Sequence, residues 1–149
     1  MARPKDFLAG CISKVKDDRI RLPDNEKRQL HKEKRSVIVV SDQNGAHGSN
    51  SYPSSLWPSV WVVPISTSKR DVTVFDVEIP FGEGGMNKAA WARVPALQVM
   101  DKDALEDMSG PVSLDILDQI TAMILDYLGI IRPEERVATN PLDVDNMPF

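Results

Sequence analysis

The sequence predicts a small, curled antiparallel β-sheet or barrel that ends in one amphipathic helix. Short runs rich in β-branched residues recur along the chain, with early examples at residues 7–15 and 36–41. Polar stretches rich in Gly, Ser, Asn and Pro separate several of these runs. Near the C-terminus, residues 114–130 carry apolar side chains at helical spacing. Short strands, polar loops and a terminal helix are together typical of a mainly β fold with helices (α+β).

Two further strands are predicted in the middle of the chain. Residues 60–66, VWVVPIS, form the first, and Pro64, which has no donor N–H, is expected at an edge, at a bulge or at the strand end. Residues 72–79, VTVFDVEI, alternate apolar and polar side chains well enough to predict the second strand. Its inward-facing residues are expected to be Val72, Val74, and Val77 or Ile79.

The next segment is expected to change from turn to strand and then to helix. Residues 80–88, PFGEGGMNK, predict a glycine-bearing turn. Residues 89–100, AAWARVPALQVM, predict a strand that is interrupted or bent at Pro95. Residues 101–108, DKDALEDM, then predict a short helix, which the residues SGPVS would end.

The terminal helix has signals at both of its ends. Ser113 suits the N-cap position, Asp115 suits the first turn, and Gly129 suits the C-terminal cap. The residues expected on its apolar face are Leu114, Leu117, Ile120, Ile124, Tyr127 and Leu128.

These elements predict one domain with two long loops and a tail. Residues 1–131 form the domain, which contains a long basic loop at 16–34 and a long polar loop at 42–59. Residues 132–149 lack periodicity and are expected to form a flexible tail. No apolar run approaches the roughly 20 residues needed to cross a bilayer. The lone cysteine, Cys11, cannot form an internal disulfide, so a reducing, cytoplasmic setting is expected.

Charge is distributed unevenly along the chain. The net charge of −4 argues against a general nucleic-acid binder, but residues 1–36 hold eleven Lys or Arg against six Asp or Glu. Residues 37–149 hold seven against sixteen. The sequence therefore allows a local anion-binding face on an acidic protein, although a solvated basic loop would give the same pattern.

The common metal and phosphate motifs are not found. Cys11, His31 and His47 cannot supply the four ligands of a structural zinc site. The glycines at 82–85 lack both the Lys-Ser/Thr of a P-loop and the spacing of a dinucleotide fingerprint. Any enzymatic activity is therefore expected to need no metal and no cofactor.

Three features remain as candidates for chemistry. Arg35 stands at a strand start, the hydroxyl residues 66–68 close another strand and precede Lys69 and Arg70, and Arg93 lies within an apolar strand. Each also has a purely structural interpretation, namely a solvated strand end, a turn and an outward-facing residue. The residues alone do not decide between the two.

The order of the segments resembles that of a known family. The segments RSVIVVS, VWVVPISTS, VEIPFGEGG, ARVPALQVMDKDAL and DYLGI follow one another between residue 35 and about residue 130. This order is similar to that of the MazF/PemK/Kid toxins, small ribonucleases of bacterial type II toxin–antitoxin pairs. Gly10 matches the glycine that precedes the family's first strand.

The resemblance implies a fold, a reaction and partners. The fold would be an SH3-like small barrel of the CcdB/PemK type with a C-terminal helix, in a homodimer. The activity would be metal-independent cleavage of single-stranded RNA (mRNA). The 2′-hydroxyl attacks the neighbouring phosphate and leaves a 2′,3′-cyclic phosphate and a 5′-hydroxyl. A cognate antitoxin would neutralise the toxin.

The resemblance also implies a site. Arg35 matches the family's strand-start arginine, Ser66 falls where many members have an active threonine, and Thr67 is the neighbour that could replace it. Arg93 aligns with an arginine that the Kid branch uses as an acid and phosphate binder, and His31 approximates that branch's loop histidine. The cations expected to contact RNA are Arg28, Lys32, Lys34, Lys69 and Arg70. Arg35→Ala and Arg93→Ala are each expected to lower cleavage while leaving folding intact.

Some positions depart from the family pattern. Ser36 stands where a proline is usual, and Pro95 stands where Kid has an aspartate. The general base is open between His31, whose unperturbed pKa is near 6.5, and Glu33. These departures keep an alternative open: a non-catalytic toxin of the CcdB type, or a protein-binding module, that acts on a protein such as DNA gyrase.

Overall fold

The computed structural model describes residues 9–23, 34–41 and 57–130 of the chain. In these ranges it contains seven β-strands, a few single 3-10 turns and one α-helix. The strands are β1 (Cys11–Lys16), β2 (Lys34–Val39), β3 (Ser59–Ser66), β4 (Val77–Ile79), β5 (Ala90–Ala92), β6 (Gln98–Asp101) and β7 (Leu105–Pro111), and the helix is α1 (Leu114–Tyr127).

The strands form one antiparallel sheet with the order β4-β5-β3-β2-β1-β7, and β6 pairs with β3 beside this path. The two ends of the path approach each other, because the Ser109 hydroxyl of β7 donates to the Gly84 carbonyl oxygen in the turn after β4 at 2.8 Å. The sheet therefore curls back on itself. The predicted fold, a curled antiparallel sheet that ends in one helix, is confirmed.

Pro64 lies within the central strand β3, where that strand changes partners. Along one edge β3 pairs with β2, and along the other it pairs first with β6 at residues 59–62 and then with β5 at residues 65–66. The Pro64 carbonyl oxygen accepts from the backbone N–H of Arg93 at 2.8 Å, so the backbone of Pro64 faces this second edge. Its missing N–H therefore falls at the junction between β6 and β5, which explains why a central strand tolerates proline.

Two apolar cores cover the two faces of the sheet. Val37 and Val39 of β2 face the first core, while Ile38 between them faces the second, as the alternation of a strand requires. The first core contains Val15, Ile20, Val37, Val39, Val60, Val62, Met100, Ala104 and Leu105. The second contains Ile12, Ile38, Val63, Val77, Ile79, Ala92, Val94, Val112, Ile116 and Ile120.

The predicted caps of α1 are both present. The Ser113 hydroxyl accepts from the Ile116 N–H at 3.4 Å. Gly129 has a φ of +76°, its N–H donates to Asp126, and the Ile130 N–H donates to Leu125, which together make the Schellman arrangement.

The apolar face of α1 was predicted correctly only in its middle. Ile120 is buried and Leu117 and Ile124 pack against the second core, but Leu114 and Leu128 are exposed. Ile116, which the prediction omitted, is also buried. The contact surface therefore runs from Ile116 to Ile124, and β4 and the residues after β5 lie against the helix.

The predicted helix at residues 101–108 is wrong. Only Lys102–Ala104 form a single 3-10 turn, and Leu105 begins β7. The reason is that β7 pairs with β1, with Leu105 opposite Val15, so tertiary pairing overrides the local helix propensity of ALEDM.

The strand predicted at 72–79 is shorter than expected. Strand β4 contains Val77–Ile79 alone, and Val77 and Ile79 are buried as predicted. Val72 and Val74, however, are 41% and 82% exposed. They lie in a turn segment that pairs with no strand among the described residues, so the alternation there does not report burial.

Gly84 closes the curled sheet and should not tolerate a side chain. It is buried with a φ of +60°, and a Cβ would lie 2.6 Å from Ile12 Cδ1. Gly84→Ala is expected to lower the free energy of unfolding by about 2–4 kcal/mol in urea denaturation, through backbone strain and overpacking. Gly82→Ala is the matched control. Gly82 also has a positive φ, +91°, but a Cβ added there would meet nothing within 4 Å, so only the backbone strain is shared. Equal losses for both variants would contradict this account of Gly84.

Candidate functional site

Strand register brings Arg35 and Ser66 into one row. Arg35 lies opposite Val15 of β1, and Ser66 lies opposite Trp91 of β5. The pair Ser36–Ile65 ends the ladder between β2 and β3. Arg35 and Ser66 are the next residue on each strand, so their side chains point to the same face. Opposite residues share a face of the sheet. The four side chains therefore lie on the face that Val15 and the first core occupy.

Arg35 lies inside β2 rather than before it, because the strand begins at Lys34 and not at residue 36 as predicted. Its side chain is only 10% exposed, and its Nε forms an ion pair with Oδ1 of Asp17, whose side chain is 38% exposed. Val37 and Val39, on the same face, are fully buried. The buried strand and the aspartate together fix the direction of the guanidinium.

Asp17 was missed by the sequence interpretation. It is the first residue after β1 and starts a 3-10 turn at Asp17–Arg19. In the sequence it belongs to the charged stretch KDDR and was read as part of a solvated loop. The available signal was the alternation from Val15, which places residue 17 two positions further on the same side.

The hydroxyl segment, residues 66–68, is organised by its own backbone. The Ser66 hydroxyl oxygen accepts from the Ser68 N–H at 3.2 Å, and the Ser68 hydroxyl oxygen accepts from the Arg70 N–H at 3.1 Å. Thr67 between them is exposed. A serine hydroxyl that accepts a backbone bond keeps its own proton to donate, so Ser66 is oriented as a hydrogen-bond donor.

Arg93 is buried, with only 7% of its side chain exposed. Its Nη1 pairs with Asp76 Oδ2 at 2.8 Å, and its Nη2 donates to the carbonyl oxygens of Ser68 and Arg70 at 2.9 and 2.7 Å. The Asp76 side chain is 1% exposed. Arg93 therefore binds the backbone that leaves the hydroxyl segment, and sequence analysis had no means of identifying Asp76 as its partner.

The segment between Ser68 and Asp76 depends on such polar contacts. Val72 and Val74 are exposed and do not anchor it. Asp76 Oδ2 also accepts from the Thr73 N–H at 2.9 Å, and the Thr73 hydroxyl accepts from the Phe75 N–H at 3.1 Å. The Arg93–Asp76 pair is thus a polar anchor of this segment, beside Phe75, which packs against the second core and against Tyr127.

A cleft of about 570 Å³ lies beside the pair. This volume is in the range of small-molecule pockets, which is roughly 300–1,000 Å³. Neither Arg35 nor Ser66 belongs to its lining. The lining consists of Arg21, Leu22, Pro23, Asp71, Thr73, Asp76, Arg93, Pro95, Ala96, Leu97 and Gln98.

Gln98 ties the start of the basic loop to this cleft. Its Oε1 accepts from the Arg21 N–H at 3.1 Å, and its Nε2 donates to the Arg21 carbonyl oxygen at 3.0 Å. The amide side chain thereby imitates a strand pair and holds Arg21 and Leu22 at the cleft wall.

The predicted RNA-binding cations differ in their surroundings. Lys69 and Arg70 are exposed in the turn after the hydroxyl segment. Lys34 pairs with Glu106 at 3.1 Å and with Asp107 at 3.6 Å. Contact with the Glu106 carboxylate, helped by Asp107, raises the pKa of Lys34 from its ordinary value of 10.5. Its charge is offset by these two carboxylates.

Several predicted residues lie outside the described part of the chain. They are Arg28, His31, Lys32 and Glu33, together with the tail at 132–149. Within the described ranges, no cluster of three or more His, Cys, Asp or Glu has a geometry that could hold a metal ion. No helix in these ranges is both long and apolar enough to cross a membrane.

Solved structures with this fold are toxins and endoribonucleases. An endoribonuclease from a mycobacterial species, in complex with its cognate antitoxin, aligns with a TM-score of 0.60 at 16% identity, over 85% of this chain and 99% of that chain. MazE–MazF from Deinococcus radiodurans aligns at 0.56 and 14%, over 85% and 99%. Mycobacterium tuberculosis toxin MazF-mt6 aligns at 0.55 and 14%, over 81% and 98%. The fold is therefore MazF-like.

The sequence itself gives the family. The profile of the PemK-like, MazF-like toxins of type II toxin–antitoxin systems matches residues 19–128. The chain belongs to this toxin family. No curated protein sequence matches it, and its low identity to the solved toxins marks it as a divergent member.

The buried Arg93–Asp76 pair should contribute strongly to stability. Arg93→Met leaves Asp76 as a buried, unpaired charge and is expected to lower the free energy of unfolding by about 3–5 kcal/mol in urea denaturation. The double variant Arg93→Met/Asp76→Leu should recover much of this loss, because an apolar pair replaces the ion pair. A single-variant loss below about 1 kcal/mol, the range of an exposed pair, would contradict the assignment.

Proposed function

We propose that this toxin is a metal-independent endoribonuclease that cleaves single-stranded RNA, leaving a 2′,3′-cyclic phosphate and a 5′-hydroxyl. The observation that supports the proposal most directly is that Arg35 and Ser66 lie on the same face of the neighbouring strands β2 and β3, each one residue beyond the pair Ser36–Ile65. Family membership supplies the reaction class. Solved proteins of the same fold are named endoribonucleases.

Arg35 binds the scissile phosphate in this proposal. A guanidinium pairs with phosphate oxygens through two parallel N–H donors, and this pairing strengthens as charge develops in the phosphorane. Because buried valines anchor β2 on the same face, the cation stays in place without a large entropic cost. Its side chain is still partly exposed, so substrate can approach it.

Ser66 and Thr67 donate hydrogen bonds to the same phosphate. Ser66 accepts from the Ser68 N–H, which leaves its proton directed elsewhere. Thr67 is exposed one residue further on. His31, from the basic loop, is a candidate general base beside Glu33.

Arg93 has a different role in the proposal. Its guanidinium is buried against Asp76 and two carbonyl oxygens, so it supports catalysis by holding the hydroxyl segment. Arg93→Ala would therefore change stability and activity together and does not isolate a catalytic step.

RNA runs across a basic surface built around this row. Lys69 and Arg70 follow the hydroxyl segment, and Arg28 and Lys32 come from the basic loop. Cationic grooves of this kind bind single strands through the backbone.

The toxin works in the cytoplasm as a homodimer in this proposal, and a cognate antitoxin neutralises it. Relatives of the same fold were crystallised with their antitoxins. The toxin domain is residues 1–131, followed by the tail at 132–149.

Cleavage of mixed-sequence RNA in EDTA tests the reaction. The wild-type protein should give 5′-hydroxyl and 2′,3′-cyclic phosphate ends. Arg35→Ala should lower the rate by about 10²–10³, the loss expected when one donor to the developing charge is removed. Arg35→Lys should recover part of it, because a lysine keeps the charge without the planar fork.

Lys34→Ala is the matched control, because this neighbouring cation is paired with Glu106 and Asp107. Its effect on the rate should be small, and the Arg35 variants should unfold at the same urea concentration as Lys34→Ala. If the wild-type protein leaves RNA intact, or cleaves only when metal is added, the proposed reaction is wrong and the protein-target alternative gains support.

The salt dependence of RNA binding distinguishes the exposed Lys69 from Lys34, which is paired with two carboxylates. Each phosphate contact to single-stranded nucleic acid contributes about 0.7 to the slope of log affinity against log salt. Lys69→Gln should lower the slope by about this amount on an RNA with a 2′-deoxy nucleotide at the cleavage site. Lys34→Gln should change it little, because Glu106 and Asp107 already offset its charge. Equal slopes for both variants would count against this surface.

A further inference from the structure

We propose that Asp17 is the general base that removes the proton from the attacking 2′-hydroxyl. The inference rests on the ribonuclease function proposed above and fills the role that the sequence left open between His31 and Glu33. Among the described residues, Asp17 is a carboxylate in direct contact with Arg35. It is also partly exposed, so a substrate can reach it.

The geometry of the reaction requires the base to lie beside the phosphate ligand. The attacking oxygen starts about 3–3.5 Å from the phosphorus. A base that hydrogen-bonds this oxygen lies about 2.6–3.2 Å further on. The base must therefore be a near neighbour of the group that holds the phosphate, and Asp17 contacts Arg35 directly.

The other carboxylates near the site do not meet this requirement. Asp76 is only 1% exposed and is paired with Arg93. Glu106 and Asp107 contact Lys34, the residue before Arg35, whose side chain lies on the other side of β2 by alternation. Asp17 remains as the exposed carboxylate on the face of Arg35 among the residues that the structure describes.

The step balances within the site. Asp17 takes the proton from the 2′-hydroxyl, the 2′-oxygen forms a bond to phosphorus, and the bond from phosphorus to the 5′-oxygen breaks. The 5′-oxygen leaves with a proton taken from water, and Asp17 afterwards returns its proton to the solvent. No oxidation change occurs and no metal is required.

Sharing one cation between Asp17 and the phosphate makes the arrangement effective. Before the reaction, the carboxylate of Asp17 carries the negative charge next to Arg35. When Asp17 accepts the proton, its charge disappears while the phosphorane gains one. Arg35 therefore interacts more strongly with the substrate in the transition state than in the ground state, which is the condition for rate enhancement.

The test compares Asp17→Asn with Asp18→Asn, the adjacent exposed carboxylate of the same turn. The substrate is an RNA oligonucleotide built around a cleavage site mapped with the wild-type protein. Asp17→Asn should lower kcat by about 10²–10⁴, the contribution of a positioned base. Asp18→Asn should stay near wild type, and Asp17→Glu should recover part of the rate.

Binding separates a base from a residue that only orients Arg35. Affinity is measured on the same oligonucleotide with a 2′-deoxy nucleotide at the cleavage site, which cannot react. Asp17→Asn should bind it as tightly as wild type or more tightly, because a negative charge near the phosphate has been removed. A parallel loss of affinity and kcat would overturn the assignment, as would a kcat close to that of wild type.

A substrate with a different leaving group distinguishes whether Asp17 acts as a base or as an acid. A substrate with sulfur in place of the 5′-bridging oxygen needs no proton on departure, so it rescues the loss of an acid and not that of a base. The Asp17→Asn defect should persist on this substrate, and rescue would overturn the proposal. If wild-type protein cleaves RNA and Arg35→Ala does not, normal cleavage by Asp17→Asn rejects this inference alone. Inactive wild-type protein rejects the proposed function itself.

Discussion

The structure depends on the pairing of β3 with two different strands along a single edge. Strand β6 occupies the first half of that edge and β5 the second, and the change falls at Pro64, whose backbone lacks the N–H that a continuous ladder would use. The Pro64 carbonyl oxygen also receives the N–H of Arg93, so the same junction sets where Arg93 leaves β5 and enters the structure beneath the hydroxyl segment.

The structure contains two arginine–aspartate pairs that differ mainly in burial. The Arg93–Asp76 pair has 7% and 1% of its side chains exposed, and the Arg35–Asp17 pair has 10% and 38%. A substrate anion could bind Arg93 only by displacing Asp76. Asp76 would then be a buried carboxylate without its ion-pair partner, which is costly. The second pair has one member in contact with solvent, so an incoming phosphate can share the guanidinium. Burial therefore suits the first pair to a structural role and leaves the second accessible, as the proposed function requires.

The Arg93–Asp76 pair holds in place a segment of the chain that contains exposed valines. The segment from Ser68 to Asp76 has two exposed valines, and Phe75 packs against the second core near its end. Hydroxyl–backbone contacts shape its turns, but such contacts are individually weak. Arg93 adds charge-assisted bonds to two carbonyl oxygens of the segment. Ser66 lies two residues before this segment. Its position thus depends on the buried guanidinium of Arg93, which follows two residues after Trp91, the β5 partner of Ser66.

Local signals in the sequence predicted the strands, the turn at 80–88 and both caps of the terminal helix, because alternation and capping chemistry act over a few residues. The errors occurred where a distant partner decides. Residues 105–108 became a strand because β1 is available, and Val72 and Val74 are exposed because no strand pairs with them. Arg93 follows the same rule, since its burial depends on Asp76. The resemblance identified Arg35 and Ser66, while Asp17 required the β1–β2 register.

The departures from the family pattern have a common physical explanation. Ser36 pairs with both Lys14 and Ile65, so it occupies an interior position of the sheet, where proline would remove a ladder donor. Its hydroxyl accepts from Lys14 Nζ at 2.7 Å, while the direction of Arg35 is fixed by Asp17. Pro95 lacks the carboxylate that the Kid pattern places there, yet Arg93 still has an aspartate partner, supplied by Asp76 immediately before β4. In this chain both arginines have an aspartate partner, and the fold brings each aspartate from a different segment.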